Sequence, residues 1–151
     1  MAPPFHLAFP THSIAAAREF YLDKLGFTEG RSSERWVDFN VFGHQLVAHL
    51  VDGYQAAKTH NQVDGDPVPV PHWGLALSVE QFHSLAARCR NSGITFAIHP
   101  HLRFKGAPGE QWTMFFYDCS GVGVLTAPAG CGVSGSAHQT SFSACRECPG
   151  V

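Results

Sequence analysis

One pattern, met twice, limits what this chain can fold into. A proline-flanked histidine opens a short apolar stretch that runs on into a helical pattern. The first copy is Pro3-Pro4-Phe5-His6-Leu7-Ala8-Phe9-Pro10, followed by Thr11-His12-Ser13 and a helix. The second is Pro67-Val68-Pro69-Val70-Pro71-His72-Trp73-Gly74-Leu75-Ala76-Leu77, followed by Ser78-Val79-Glu80 and a helix. Alternating prolines favour extended backbone and exclude helix. His6 stands twenty positions before Gly26 and His72 twenty-one before Gly93, so the two helices align in register. A single duplication implies a fused pair of modules, not a solenoid.

Each module reads as βαβββ. In the first, Phe5 to Phe9 is a strand stopped by Pro10, and Ser13 is an N-cap for a helix reaching Leu25. Ile14, Ala17, Phe20 or Tyr21, and Leu25 fall on one face of that helix, and Gly26 ends it. Strands follow over Phe27–Arg31, Arg35–Phe42 and His44–Val51. The last alternates, with Leu46, Ala48 and Leu50 on one face and Gln45, Val47 and His49 on the other. Module two repeats this with a strand over Trp73–Val79 and a helix over Glu80–Asn91, striped by Phe82, Leu85, Ala86 and Cys89. Strands over Ile94–His99, Glu110–Tyr117 and Val122–Ala127 complete it, with a long loop from Pro100 to Gly109. The expected organisation is one domain over residues 1–127: module one at 4–52, a linker at 53–70 and module two at 71–127. The linker is polar, with turn signals at Asp52-Gly53 and Asp64-Gly65 and one short helical turn around Tyr54 to Lys58. Residues 128–151 are rich in glycine, serine and cysteine, lack periodicity, and read as a disordered tail.

Composition narrows the function classes. With 44% hydrophobic and 15% charged residues, the 151-residue chain can build a core. A formal charge of −2 gives no general attraction to nucleic acid or to an anionic membrane. No apolar run reaches transmembrane length and no leader pattern opens the chain, so a cytoplasmic location is expected. The five cysteines are odd in number and do not resemble a secreted disulfide framework. Ten histidines are the more unusual feature, since imidazole is the commonest metal ligand.

Three local sequences carry a resemblance. Ala17-Arg-Glu-Phe-Tyr-Leu-Asp-Lys-Leu-Gly26-Phe27 looks like the signature A-x-x-F-Y-x-x-x-L-G-F. Gly43-His-Gln-Leu-Val-Ala-His-Leu50 is similar to the fourth strand of the same family, and Phe115-Phe-Tyr-Asp-Cys-Ser-Gly121 to its F-x-D-P-x-G turn. Together with the repeat, over roughly residues 4 to 127, the chain resembles the vicinal oxygen chelate superfamily, which includes glyoxalase I, the extradiol dioxygenases and the bleomycin-resistance proteins. The resemblance implies an α+β fold of two tandem βαβββ modules around a shared, partly open β-barrel-like cavity, often with modules paired across a homodimer.

It also implies a divalent metal (zinc, iron, nickel or manganese) held by first-strand and fourth-strand residues. Carried over by position, the ligands are His6, His72 and His49. The fourth position, usually glutamate, is Leu125. Three neutral imidazoles suit zinc, whereas oxygenase iron prefers two histidines and a carboxylate. The implied function is a metal-dependent enzyme of the glyoxalase or extradiol-dioxygenase type, acting on a small substrate with vicinal oxygens. The missing carboxylate keeps two alternatives open: a non-catalytic small-ligand-binding protein of the bleomycin-resistance type, or a degenerate paralogue.

Other candidates are polar side chains near the implied cavity. Arg103 is expected to hold a substrate carboxylate, Glu110 to act as a base and Tyr117 as an acid, each against the plainer account of solvated loop charges and strand packing. Arg31 and Arg35 stand the same way. His44, His99 and His101 read as surface or cavity-mouth residues. Trp36, Phe39, Phe104 and Trp112 suit a cavity wall or a core equally well. Cys145-Arg-Glu-Cys148 with Cys131 and His138 has a weak metal-knuckle pattern in unfavourable glycine-serine context.

Overall fold

The computed structural model describes residues 3–128. The tail residues Cys131, His138, Cys145 and Cys148 lie outside the described residues. The duplication is visible at once. Module one contains β1 (His6–Thr11), α1 (Ile14–Arg18), β2 (Thr28–Ser32), β3 (Trp36–Val41) and β4 (His44–Leu50). Module two contains β7 (His72–Leu77), α2 (Val79–Asn91), β8 (Phe96–Arg103), β9 (Gln111–Tyr117) and β10 (Gly123–Pro128). Between them stand β5 (Thr59–Val63) and β6 (Asp66–Val70). The first sheet has strand order β1-β4-β3-β2 and the second β7-β10-β9-β8, so each first strand pairs in parallel with its module's last. The sheets hydrogen-bond separately and close no barrel, but the expected α+β class and the paired βαβββ units are both present.

Local chemistry explains the helices. The Ser13 hydroxyl accepts from the Ala16 amide, capping α1. After Arg18 the helix widens into a π-turn over Glu19–Lys24, and Gly26 ends it with φ of 77°. A β-carbon on Gly26 would stand 2.5 Å from the guanidinium carbon of Arg88 and would push that side chain aside, but it is the positive φ that calls for glycine. α2 starts with a full capping box between Ser78 and Gln81.

The segment at 53–70 departs from expectation. No helical turn forms around Tyr54 to Lys58; residues 59–70 fold instead as a β-hairpin, turning at Asp64-Gly65 with φ of 52° and 83°. Asp-Gly with both φ positive is the turn that best suits a two-residue hairpin. Pro67 and Pro69 are tolerated because a two-stranded ribbon leaves an outer edge where a missing N–H breaks no ladder bond.

One core joins the modules. Phe9, Phe39 and Leu46 from the first sheet meet Trp73, Leu75, Phe116 and Val124 from the second, with Tyr21 and Phe82 of the helical segments between them. Tyr21 stacks on Phe39 at 4.8 Å between ring centroids, and Phe20 reaches Phe116 at 6.2 Å. Each such side chain contributes about 1.5–3 kcal/mol when taken out of water. Polar contacts fasten the same junction: Arg88 donates to the Lys24 and Asp23 carbonyls, both at 2.9 Å, and Thr11 and His12 meet Ser120. The face of each sheet that does not enter this core is called its outer face below. Among the described residues, no helix is long and apolar enough to cross a membrane.

Candidate functional site

Alternation along the first strands decides where the histidines point. In β1, His6 and Ala8 are exposed while Phe9 and Thr11 are buried. In β7, His72, Gly74 and Ala76 are exposed while Trp73, Leu75 and Leu77 are buried. His6 and His72 therefore stand on the outer faces of different sheets, each looking away from the shared core.

Their rings are held in the same way. His6 Nδ1 lies 2.8 Å from Gln45 Oε1, its cross-strand partner, and His72 Nδ1 lies 2.6 Å from the Pro69 carbonyl oxygen. Both rings thus engage Nδ1 and leave Nε2 without a protein partner among the described residues. Around His6 the contacts continue: Gln45 Nε2 donates to Asp38 Oδ2 at 2.9 Å, and Arg31 Nε donates to the same oxygen at 3.3 Å. Asp38 is 5% exposed, Arg31 mostly exposed. Around His72, Phe115 packs edge-on at 5.2 Å.

The remaining candidates divide by register. His49 pairs with Pro10, four residues along β1 from His6, or about 13 Å. His6 and His49 share a face of the first sheet, but no third ligand joins them among the described residues. Leu125 pairs with Gly74, two residues past the His72 position, and a β-carbon on Gly74 would stand 2.9 Å from it. Tyr117 is brought to the His72 end: it pairs with Gly123, which pairs with His72. Its hydroxyl meets His60 Nε2 at 2.9 Å. Arg103 pairs with Gln111 at the far end of β9, about 20 Å along the strand from Tyr117, and Glu110 adjoins it. Arg103 donates to the Val63 carbonyl at 2.7 Å and faces Asp66 at 3.5 Å, while Glu110 accepts from the Gly106 amide at 2.7 Å. Arg103 and Glu110 hold the hairpin and a loop, and neither meets the His72 end.

The hairpin rests on the outer face of module two. Val63 and Val68 pack on Ile98, Phe115 and Leu125, and His101 bridges Asp66 at 3.0 Å. Among the described residues, no three His, Cys, Asp or Glu side chains come together as a metal site. A groove of about 550 Å³ runs past Leu25, Phe42, Gln81 and Arg88 and touches none of these residues.

Two buried groups near the junction are electrostatically perturbed. Burial raises the Asp118 carboxyl above its ordinary range despite amide bonds from Val122 and Ser120. Tyr21, which donates to Asp118 at 2.9 Å, is pushed well up by burial and by that neighbouring charge. Burial also takes the Cys89 thiol to about 12. Tyr21 and Asp118 fasten the modules, and Cys89 lies buried in α2.

The family model for the Glyoxalase/Bleomycin resistance protein/Dioxygenase superfamily matches residues 4–125, which include both histidine strands, the first sheet and the second as far as Leu125 in β10. The chain belongs to this superfamily. A glyoxalase/bleomycin resistance protein/dioxygenase from Alicyclobacillus acidocaldarius is 29% identical, with a TM-score of 0.69 over 84% of this chain and 91% of that one. The fosfomycin resistance protein FosX from Listeria monocytogenes is 14% identical, with a TM-score of 0.64 over 85% and 93%. Oxidase ChaP-H2 is 16% identical, with a TM-score of 0.62 over 87% and 97%. No curated protein matches the sequence. Members of the superfamily typically use divalent metals, and the donor chemistry at His6 and His72 fits one: two imidazoles with Nδ1 engaged and Nε2 free. The count within one chain does not, because the two donors face apart and Leu125 offers no ligand atom.

Sequence reasoning found the two histidines through the repeat. It passed over Gln45 and Asp38, whose contact with His6 depends on β1-β4-β3 register, and His60, which lay in a segment read as linker. The parity of Gln45 with His49 was the one available signal.

Proposed function

We propose that this superfamily member acts on a small substrate with vicinal oxygens, at a divalent-metal site shared between two copies of the chain. The observation that carries the reading is the matched state of His6 and His72. Metal-binding histidines almost always donate their other ring N–H to a nearby acceptor, as both do here. Since the two face apart within a chain, His6 of one copy and His72 of another would hold the ion, and two-fold symmetry would give two equivalent sites. All-imidazole donors favour zinc over oxygenase iron. When bound, the ion would polarise the substrate's adjacent oxygens as a Lewis acid. Tyr117, at the His72 end of the face, would orient a substrate oxygen once released from His60.

Metal analysis tests this. The full chain loaded with Zn(II) should retain it through dialysis, and His6→Ala and His72→Ala should each reduce bound zinc at least tenfold. Undiminished zinc in both variants would remove the site.

A second reading, a non-catalytic small-ligand binder, is supported by Leu125 and by the hairpin seated on the outer face of module two. It predicts no retained metal in the unaltered chain, together with saturable binding of a small aromatic ligand.

A further inference from the structure

We infer that Gln45 and Asp38 are positioning residues that fix which nitrogen of His6 carries the proton, and so turn its Nε2 lone pair outward. The inference rests on the metal-site reading for its purpose, but its structural content stands without a metal.

A carboxylate oxygen only accepts hydrogen bonds, so whatever approaches Asp38 Oδ2 must donate. Arg31 Nε approaches at 3.3 Å, and Gln45 approaches at 2.9 Å through its amide nitrogen. An amide that turns its nitrogen to Asp38 turns its oxygen the other way, and Gln45 Oε1 meets His6 Nδ1 at 2.8 Å. Facing an acceptor, Nδ1 must carry the proton, which leaves Nε2 as the basic nitrogen. The identity of the residue at 38 thereby sets the tautomer of the residue at 6, across two intervening strand pairings.

Module two reaches the same state more simply. His72 Nδ1 faces the Pro69 carbonyl, which only accepts, so no further group is needed to orient it. A glutamine amide is ambiguous by itself, offering oxygen or nitrogen with equal ease. That ambiguity gives Asp38 its role. The carboxylate lies almost fully buried under the sheet's outer surface, and Gly30 leaves it room: a β-carbon there would come within 3.2 Å of Asp38 Cβ. Arg31 balances its charge from the solvent side.

The test reads the tautomer directly. Nitrogen-15 spectra of the full chain would be recorded without metal at about pH 8, where an ordinary imidazole is neutral. His6 should show its proton on Nδ1 and an unprotonated Nε2. Gln45→Leu and Asp38→Leu should each return His6 to a mixture rich in the Nε2–H form. Asp38→Asn, whose oxygen can still accept from both Arg31 and Gln45, should keep the original pattern. Circular dichroism confirms that each variant is folded, and the conservative Asn variant guards against a general loss of structure. In parallel, Zn(II) affinity should fall by about 10- to 100-fold in the two Leu variants and hold in the Asn variant. An unaltered His6 tautomer in Gln45→Leu would overturn the inference, as would an Nε2–H ring in the original chain. A tautomer that responds as described in a chain that binds no Zn(II) would uphold the positioning role and dismiss the metal-site reading.

Discussion

Tyr21 and Asp118 show how much can hang on one hydrogen bond. The tyrosine hydroxyl donates to one carboxylate oxygen of Asp118, while the other oxygen takes the Ser120 and Val122 amides at 2.8 Å each. The pair ties the helical segment of module one to the β9–β10 turn of module two. Tyr21→Phe should lower the unfolding free energy by about 1–3 kcal/mol, read from the denaturant midpoint, because a buried acceptor loses a donor. The pH dependence has an unusual sign. Burial raises the folded Asp118 value above the ordinary 3.8, so the protonated form is the one favoured by folding. Its contribution is fully present below 3.8 and is lost as pH rises through the higher folded value. Asp118→Asn carries no such loss. The stability difference between the original chain and this variant should therefore move against the original as pH rises across that window.

At the scale of elements, the hairpin is the part that pattern reasoning missed. The helices and strands such as β4 and β7 were readable because their apolar positions repeat at 3.6 or 2 residues, as Phe82, Leu85, Ala86 and Cys89 do in α2. β5 offers no such signal: Thr59, His60, Asn61 and Gln62 are all exposed, and only Val63 turns inward. Its strand character comes from Asp64-Gly65 and from a docking surface that no local window contains. The same limit hid the His6–Gln45–Asp38 contacts, which exist only once three strands are in register. The histidines themselves were legible because duplication gave each a counterpart. Arg103 was expected to hold a substrate; it holds the hairpin instead, through Val63 and Asp66. Arg103→Ala should remove the donor to the Val63 carbonyl and leave Asp66 with His101 alone, weakening hairpin docking by about 1–3 kcal/mol and speeding amide exchange there roughly 10- to 100-fold. Exchange in β7, β9 and β10 should change far less. Uniform acceleration across both sheets would show that the hairpin is part of the global unit, not a separately docked one.

At the scale of the whole molecule, the decisive feature is one core shared by both modules, with an outer face on each sheet and a smaller cluster under the hairpin. The motifs foretold two modules, yet which faces would pack together was not written in either one; it emerges from Tyr21, Phe39, Trp73 and Phe116 meeting between the sheets. That arrangement sets His6 and His72 apart and makes a shared site depend on a second copy. Complementation tests this most directly. His6→Ala and His72→Ala chains would be unfolded together in equal amounts, refolded, loaded with Zn(II) and analysed for bound metal. Each variant refolded alone should bind almost none. In the mixture, half of the dimers should be mixed and each should keep one intact site of two, restoring about a quarter of the original zinc. A mixture as empty as its parents, in a preparation shown to contain mixed dimers, would contradict a site shared between copies.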